Sequence, residues 1–205
     1  MPDRAPGPSR EHELDGIHRA ADGCRDCPLY EHATQMVFGE GPAPAELMLL
    51  GEQPGDKEDR AGHPFVGPAG ALLDDVLADA GIDRSVVYVT NAVKHFKWDQ
   101  TRGGKVRIHK SPSRSEVVAC SQWWEQELAV VTPKVLVCLG AIATKAVLGP
   151  SAKVTELRGQ VVEQLAVAVV PTYHPAAVLR AAERKDQMRD DLVRDLHVAA
   201  ELLVG

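Results

Sequence analysis

Several groups of residues in this chain have the types and spacing for chemistry. Cys24-x-x-Cys27 is spaced as a pair of metal ligands, while Cys120 and Cys138 stand singly and far away. Four thiols invite an all-cysteine site, and three Cys with one His would by spacing favour zinc. Gly51-Glu-Gln-Pro-Gly-Asp places the carboxyls of Glu52 and Asp56 and the amide of Gln53 in one turn. Asn91 ends a β-branched run with a side chain that both donates and accepts. His174 opens a His-Pro turn. Finally, Lys94, Lys97, Arg102, Lys105, Arg107, Lys110 and Arg114 crowd a 21-residue segment whose only acid is Asp99, and His109 lies among them. That segment carries +6 in a chain of net charge −6, which leaves −12 for the remainder. It is either a solvated loop or an anion-binding surface.

The elements that must position these residues can be read from patterning. Leu14, Ile17 and Ala21 recur at helical spacing and deliver the cysteine pair. Ala45-Glu-Leu-Met-Leu-Leu50 is a strand that runs into the Gly51 turn, and Ala69–Ala80 is a helix stopped by Gly81. Ser85–Val93 is a second strand, and the basic segment after it is too long for an ordinary connection. Ser113-Arg-Ser-Glu116 forms a capping box that starts a helix to about Val131. Val135-Leu-Val-Cys-Leu-Gly140 is the third strand, followed by a helix over Ala141–Leu148 that Gly149-Pro150 closes. Val154–Val162 reads as a hairpin or irregular excursion, Leu165–Thr172 as the fourth strand, and two helices end the chain.

This alternation predicts an α/β three-layer sandwich, a central, mostly parallel four-stranded sheet flanked by helices. Residues 1–10, with three prolines, read as a flexible leader, and 11–205 as a single domain. The longest apolar run, Val135–Ala143, has nine residues, against the ~20 needed to cross a bilayer, so no membrane partner is expected. In open parallel sheets the ligand site lies beyond the carboxyl ends of the strands. Glu52, Gln53, Asn91 and His174 are the polar groups that should converge there.

Taken together, Gly51-Glu-Gln-Pro-Gly-Asp-Lys-Glu-Asp59, Gly62-His-Pro-Phe-Val-Gly-Pro-Ala-Gly70, Asn91-Ala-Val-Lys-His95 and His174-Pro-Ala-Ala-Val-Leu-Arg180 form a specific series. It resembles the uracil-DNA glycosylase superfamily, particularly its iron-sulfur branch, over essentially residues 20 to 204. Gly104-Lys-Val-Arg-Ile-His109-Lys-Ser-Pro-Ser113 is similar to the loop of the X-type uracil-DNA glycosylases, with Val106 departing from the usual Lys-Arg-Arg-Ile-His. Gln53 also suits that subgroup.

The resemblance implies excision of uracil from DNA and capture of the resulting abasic sugar by the protein itself. Phe65 would stack on the extruded base, Asn91 and Gln53 would bind uracil, and His174 would stabilise the departing uracil anion. His109 would attack C1′ as a neutral imidazole, with Glu52 as proton acceptor and Asp56 as a second polar group for positioning or assisting water. Lys105, Arg107, Lys110, Ser111 and Ser113 would contact phosphates or hold the loop.

By the same resemblance Cys24, Cys27, His95 and Cys120 would hold a structural [4Fe-4S] cluster, with His95 standing where conventional members carry a Cys. Cys138 reads as a core residue. The implied partner is uracil-containing DNA, single-stranded or also double-stranded, and the implied setting is a monomer in the bacterial cytoplasm. Two rivals stand: a conventional turnover glycosylase that releases a free abasic site, and a non-catalytic metal-stabilised nucleic-acid-binding module.

Overall fold

The computed structural model describes residues 9–100 and 106–204. Residues 1–8 of the expected leader, together with Arg102 and Lys105 of the basic segment, lie outside the described residues. Ser9 and Arg10 belong instead to the first helix: Ser9 caps α1 (Arg10–Ala21) by accepting from His12 N.

The main sheet is built from β1 (Leu47–Gly51), β2 (Val87–Asn91), β5 (Val135–Leu139), β6 (Val162–Gln164) and β7 (Val167–Thr172), in the order β2-β1-β5-β7-β6. The first four in that order are parallel, and β6 pairs antiparallel with β7. Five strands therefore stand where the sequence suggests four, and β7 starts at Val167, not Leu165. The missed strand turns into β7 through Leu165 and Ala166, whose φ of 55° and 59° make a two-residue hairpin turn without the usual Gly, Asn or Asp.

Alternation along the strands builds two cores. Leu47, Leu49, Val87, Val89, Val135 and Val137 face one side, where they meet α3 (Pro68–Asp79), α7 (Pro175–Leu179) and α8 (Lys185–Val204). Met48, Leu50, Tyr88, Leu136 and Cys138 face the other, against α4 (Arg114–Val131) and α5 (Gly140–Leu148). Cys138 is fully buried in that core, as its apolar run predicts.

α4 begins with the full capping box, Ser113 Oγ accepting from Glu116 N and the Glu116 carboxylate accepting from Ser113 N. Its adjacent tryptophans part company. Trp124 enters the α4–α5 core, and Trp123 joins a smaller cluster with Cys120, Ala21, Phe38 and Val93. Two pieces of structure are not visible in the patterning: the short α2 (Asp56–Ala61), and an antiparallel hairpin in the basic segment, β3 (Trp98–Gln100) with β4 (Arg107–His109). A one-turn helix, α6 (Val154–Leu157), precedes β6. Among the described residues no helix is long and apolar enough to cross a membrane.

Candidate active site

A cavity of about 360 Å³ opens beyond the carboxyl ends of the parallel strands. Glu52 and Gln53 enter it from the turn after β1, Asn91 from the last position of β2, and His174 from the turn after β7. Phe65 and His109 complete the group. Asn91 is the register partner of Gly51 and is buried.

The packing around Asn91 depends on glycine. A Cβ on Gly51 would lie 2.4 Å from Asn91 Oδ1 and 2.7 Å from Phe65 Cζ. A Cβ on Gly70 would lie 1.6 Å from the Phe65 carbonyl oxygen, so the first turn of α3 can seat Phe65 only with glycine there. Phe65 itself has φ 57°, and its ring lies 6.1 Å from the His174 ring at an interplanar angle of 25°.

His174 Nδ1 accepts from Ala176 N at 3.1 Å. That bond leaves the proton of the neutral ring on Nε2, which makes this nitrogen a donor. Burial, helped by the Arg180 and His109 charges, depresses the His174 pKa to about 4, so the ring is neutral at physiological pH. A neutral imidazole N–H in a cavity wall can stabilise a developing oxyanion.

His109, at the end of β4, is half-exposed at the cavity mouth, with Nε2 3.8 Å from Glu52 Oε1. That Glu52 oxygen is buried and has no hydrogen-bond partner. Burial lowers the His109 pKa and Arg180 lowers it further, while Glu52 pulls the other way. Depression wins, so the nitrogen lone pair is available near neutral pH.

Two residues anchor the loop, Gln53 from beneath it and Arg107 from within it. Gln53 donates from Nε2 to Lys97 O at 3.2 Å and Lys110 O at 3.1 Å, and its Oε1 accepts from Lys97 N at 3.2 Å. Its amide is committed to the backbone at the base of the β3–β4 hairpin. Arg107 points away from solvent: it pairs with Asp56 and, at 2.6 Å, with Asp59. Its guanidinium also lies 5.2 Å from the Phe96 ring centre and 5.4 Å from that of Trp98. Arg107 thus holds the loop. Lys110 and Ser111 remain exposed beside His109, and Ser113 is the α4 cap.

Asp56 does not line the cavity. It opens α2, and despite partial burial its hydrogen bonds from Arg60 and Arg107 hold its carboxyl below the ordinary range. Three further polar side chains line the cavity beyond those expected from sequence: Glu58, Tyr173 and Arg180. Glu58 sits in a charged run, yet it is buried and accepts from Gly67 N at 2.8 Å. Tyr173 and Arg180 flank His174 in the same motif, and that proximity was the available signal.

Cys24, Cys27 and Cys120 border one apolar cluster with Trp123. Burial pushes the Cys120 thiol up to about 11, and Cys27 and Cys24 are near enough to add to that shift. Cys120 Sγ accepts from Lys94 N at 3.2 Å, and His95, the next residue along the chain, is buried. Trp123 Nε1 is buried there without an acceptor. Among the described residues no three His, Cys, Asp or Glu side chains are close enough to share a single metal ion.

The fold is an α/β sheet with a cavity at its strand ends, and sequence comparison identifies the class. Residues 38–197 match the uracil DNA glycosylase superfamily, and the chain belongs to it. It is 32% identical over 197 residues to the type-4 uracil-DNA glycosylase of Thermotoga maritima, covering 95% of this chain and 97% of the relative. It is 34% identical over 188 residues to the type-4 enzyme of Pyrobaculum aerophilum, covering 88% and 91%. The crystal structure of wild-type Pedobacter heparinus SMUG2 shares the fold, with a TM-score of 0.51, 13% identity and coverage of 77% of this chain and 76% of that one.

Proposed function

We propose that this protein excises uracil from DNA and becomes covalently attached to the abasic sugar through His109, as an X-type uracil-DNA glycosylase. The observation that carries this reading is the placement of His109 and the unpartnered Glu52 oxygen at the mouth of the cavity that holds Asn91, Phe65 and His174.

Uracil reaches such a cavity only when its nucleotide is extruded or single-stranded. Phe65 supplies a face for the base, and Asn91 pairs with the adjacent carbonyl and N–H that distinguish uracil from cytosine. As the C1′–N1 bond breaks, its electrons pass to the base, and His174 Nε2–H stabilises the uracil anion. The sugar becomes an oxocarbenium-like cation. The unprotonated nitrogen of His109 then bonds to C1′, and Glu52 accepts the remaining imidazole proton. Water would end the reaction in a conventional enzyme, and the ring occupies its place here.

Incubation with a uracil-containing oligonucleotide should give a protein–DNA band that survives a denaturing gel. A free abasic product with no shifted band would establish simple turnover instead. Binding insensitive to uracil and to substitution of Phe65 or Asn91 would mark a non-catalytic module.

Cys24, Cys27 and Cys120, with His95 as fourth ligand, would hold an iron-sulfur cluster. Support comes from the three thiols around one apolar cluster and from the unpartnered Trp123 N–H, for which a cluster sulfur is a suitable acceptor. When bound, the cluster supplies a structural cross-link between the N-terminal segment and the base of the β3–β4 hairpin. The purified protein should be coloured and contain iron; a colourless protein with stoichiometric zinc would refute this assignment.

A further inference from the structure

The reactive histidine lies on a two-stranded ribbon whose own stability is marginal, so something else must fix its position. Trp98 is directly opposite His109 in the β3–β4 register. Directly opposed residues of an antiparallel pair share one face, and residues two apart along a strand share it too. One face of the ribbon therefore carries Trp98, Arg107 and His109, with Phe96 continuing the row. Arg107 lies between the Phe96 and Trp98 rings, and the His109 ring lies 6.0 Å from that of Phe96. Trp98 Nε1 donates to His32 O at 2.9 Å, which fastens this face to the segment that follows Cys27. Trp98 itself does not line the cavity.

We infer that Trp98 is a positioning residue for covalent capture: through Arg107 and the His32 carbonyl it holds the strand of His109 against the cavity, so that imidazole reaches C1′ before water. This inference rests on the covalent reading above. It separates two events that share a cavity. Excision depends on Asn91, Phe65 and His174, whereas the fate of the sugar depends on where one ring stands. Misplacement by about 1 Å is enough to cost a reacting group a factor of roughly 100 in rate.

The test is the partition of excised sites between covalent and free abasic DNA, read on one denaturing gel after strand cleavage at free sites. This ratio is unaffected by the fraction of folded protein. Trp98→Ala should lower it by roughly tenfold while total uracil release changes little. Trp98→Phe, which restores a ring beside Arg107 but not the bond to His32, should recover part of the loss. An unchanged partition in Trp98→Ala would overturn the inference.

Amide exchange keeps the two levels of the claim apart. Trp98→Ala should accelerate exchange at Lys110, whose N–H bonds to Lys97 O at 3.0 Å. Accelerated exchange with no covalent product even from the unaltered protein would remove capture and leave the anchoring role supported. Unaltered exchange would remove the anchor.

Discussion

His109→Gly should abolish the denaturation-resistant protein–DNA band, with adduct yield down by on the order of 100-fold, while uracil release continues and free abasic sites accumulate. The ring is the only element removed from the cavity mouth, and Asn91, Phe65 and His174 remain to bind the base and stabilise its departure. Water then enters the space and completes the reaction. Unchanged adduct yield would exclude this histidine as nucleophile. The pH dependence has a definite sign. Burial and Arg180 outweigh Glu52 and place the His109 pKa below the ordinary imidazole value. Capture by the neutral ring should be level above neutral pH and fall as pH drops through that depressed pKa. His174 stays neutral until about pH 4, so excision should outlast capture during acidification. Adduct yield that rises as pH falls would contradict this assignment.

Glu127→Ala should destabilise the protein by about 3–5 kcal/mol, the usual cost of stranding a buried charge. Glu127 and Lys94 are both fully buried and meet at 2.6 Å. Glu127 also accepts from Gly39 N at 2.9 Å and from Tyr88 OH at 3.0 Å, so truncation leaves several buried donors without an acceptor. In a chain of this size the loss corresponds to a melting temperature lower by on the order of 10 °C. Replacing both members, Lys94→Met with Glu127→Leu, should recover much of the loss, because no lone charge remains. Thermal unfolding of the single and double variants measures the coupling. Because Lys94 N also bonds Cys120 Sγ, and Asn91 lies three residues before it, uracil excision should decline with the single variant, as should retention of the proposed iron-sulfur cluster.

Periodicity made most of the fold legible. The parallel strands, α3 and α4 follow from apolar runs, a glycine stop and a capping box, and each forms within a few residues of its expected limits. Convergence of Glu52, Gln53, Asn91 and His174 follows from a general property of parallel sheets. What escaped has physical causes. β6 is short and mostly exposed, and it turns through Leu165-Ala166, residues that carry no turn signature. β3 and β4 are three-residue strands within a segment dominated by charge. The tasks of Gln53 and Arg107 rest on partners over 40 residues away, Lys97 for one and Asp59 for the other, and no local pattern encodes them. The separate destinations of Trp123 and Trp124 likewise depend on how α1 packs against α4.

The β3–β4 ribbon forms a sheet of its own and contributes no rung to the five-stranded one. Its attachments are side chains: Gln53 at its base, Asp56 and Asp59 on Arg107, and the Trp98 bond to His32. On the proposed covalent reading, the element that decides the fate of the sugar is a module plugged into a finished scaffold. Transplanted with its sockets, it would be portable between glycosylases of this fold. On that same reading, the step from a recycling catalyst to a single-use reagent would need an exchanged loop and a few receiving residues, with the base-reading cavity left intact.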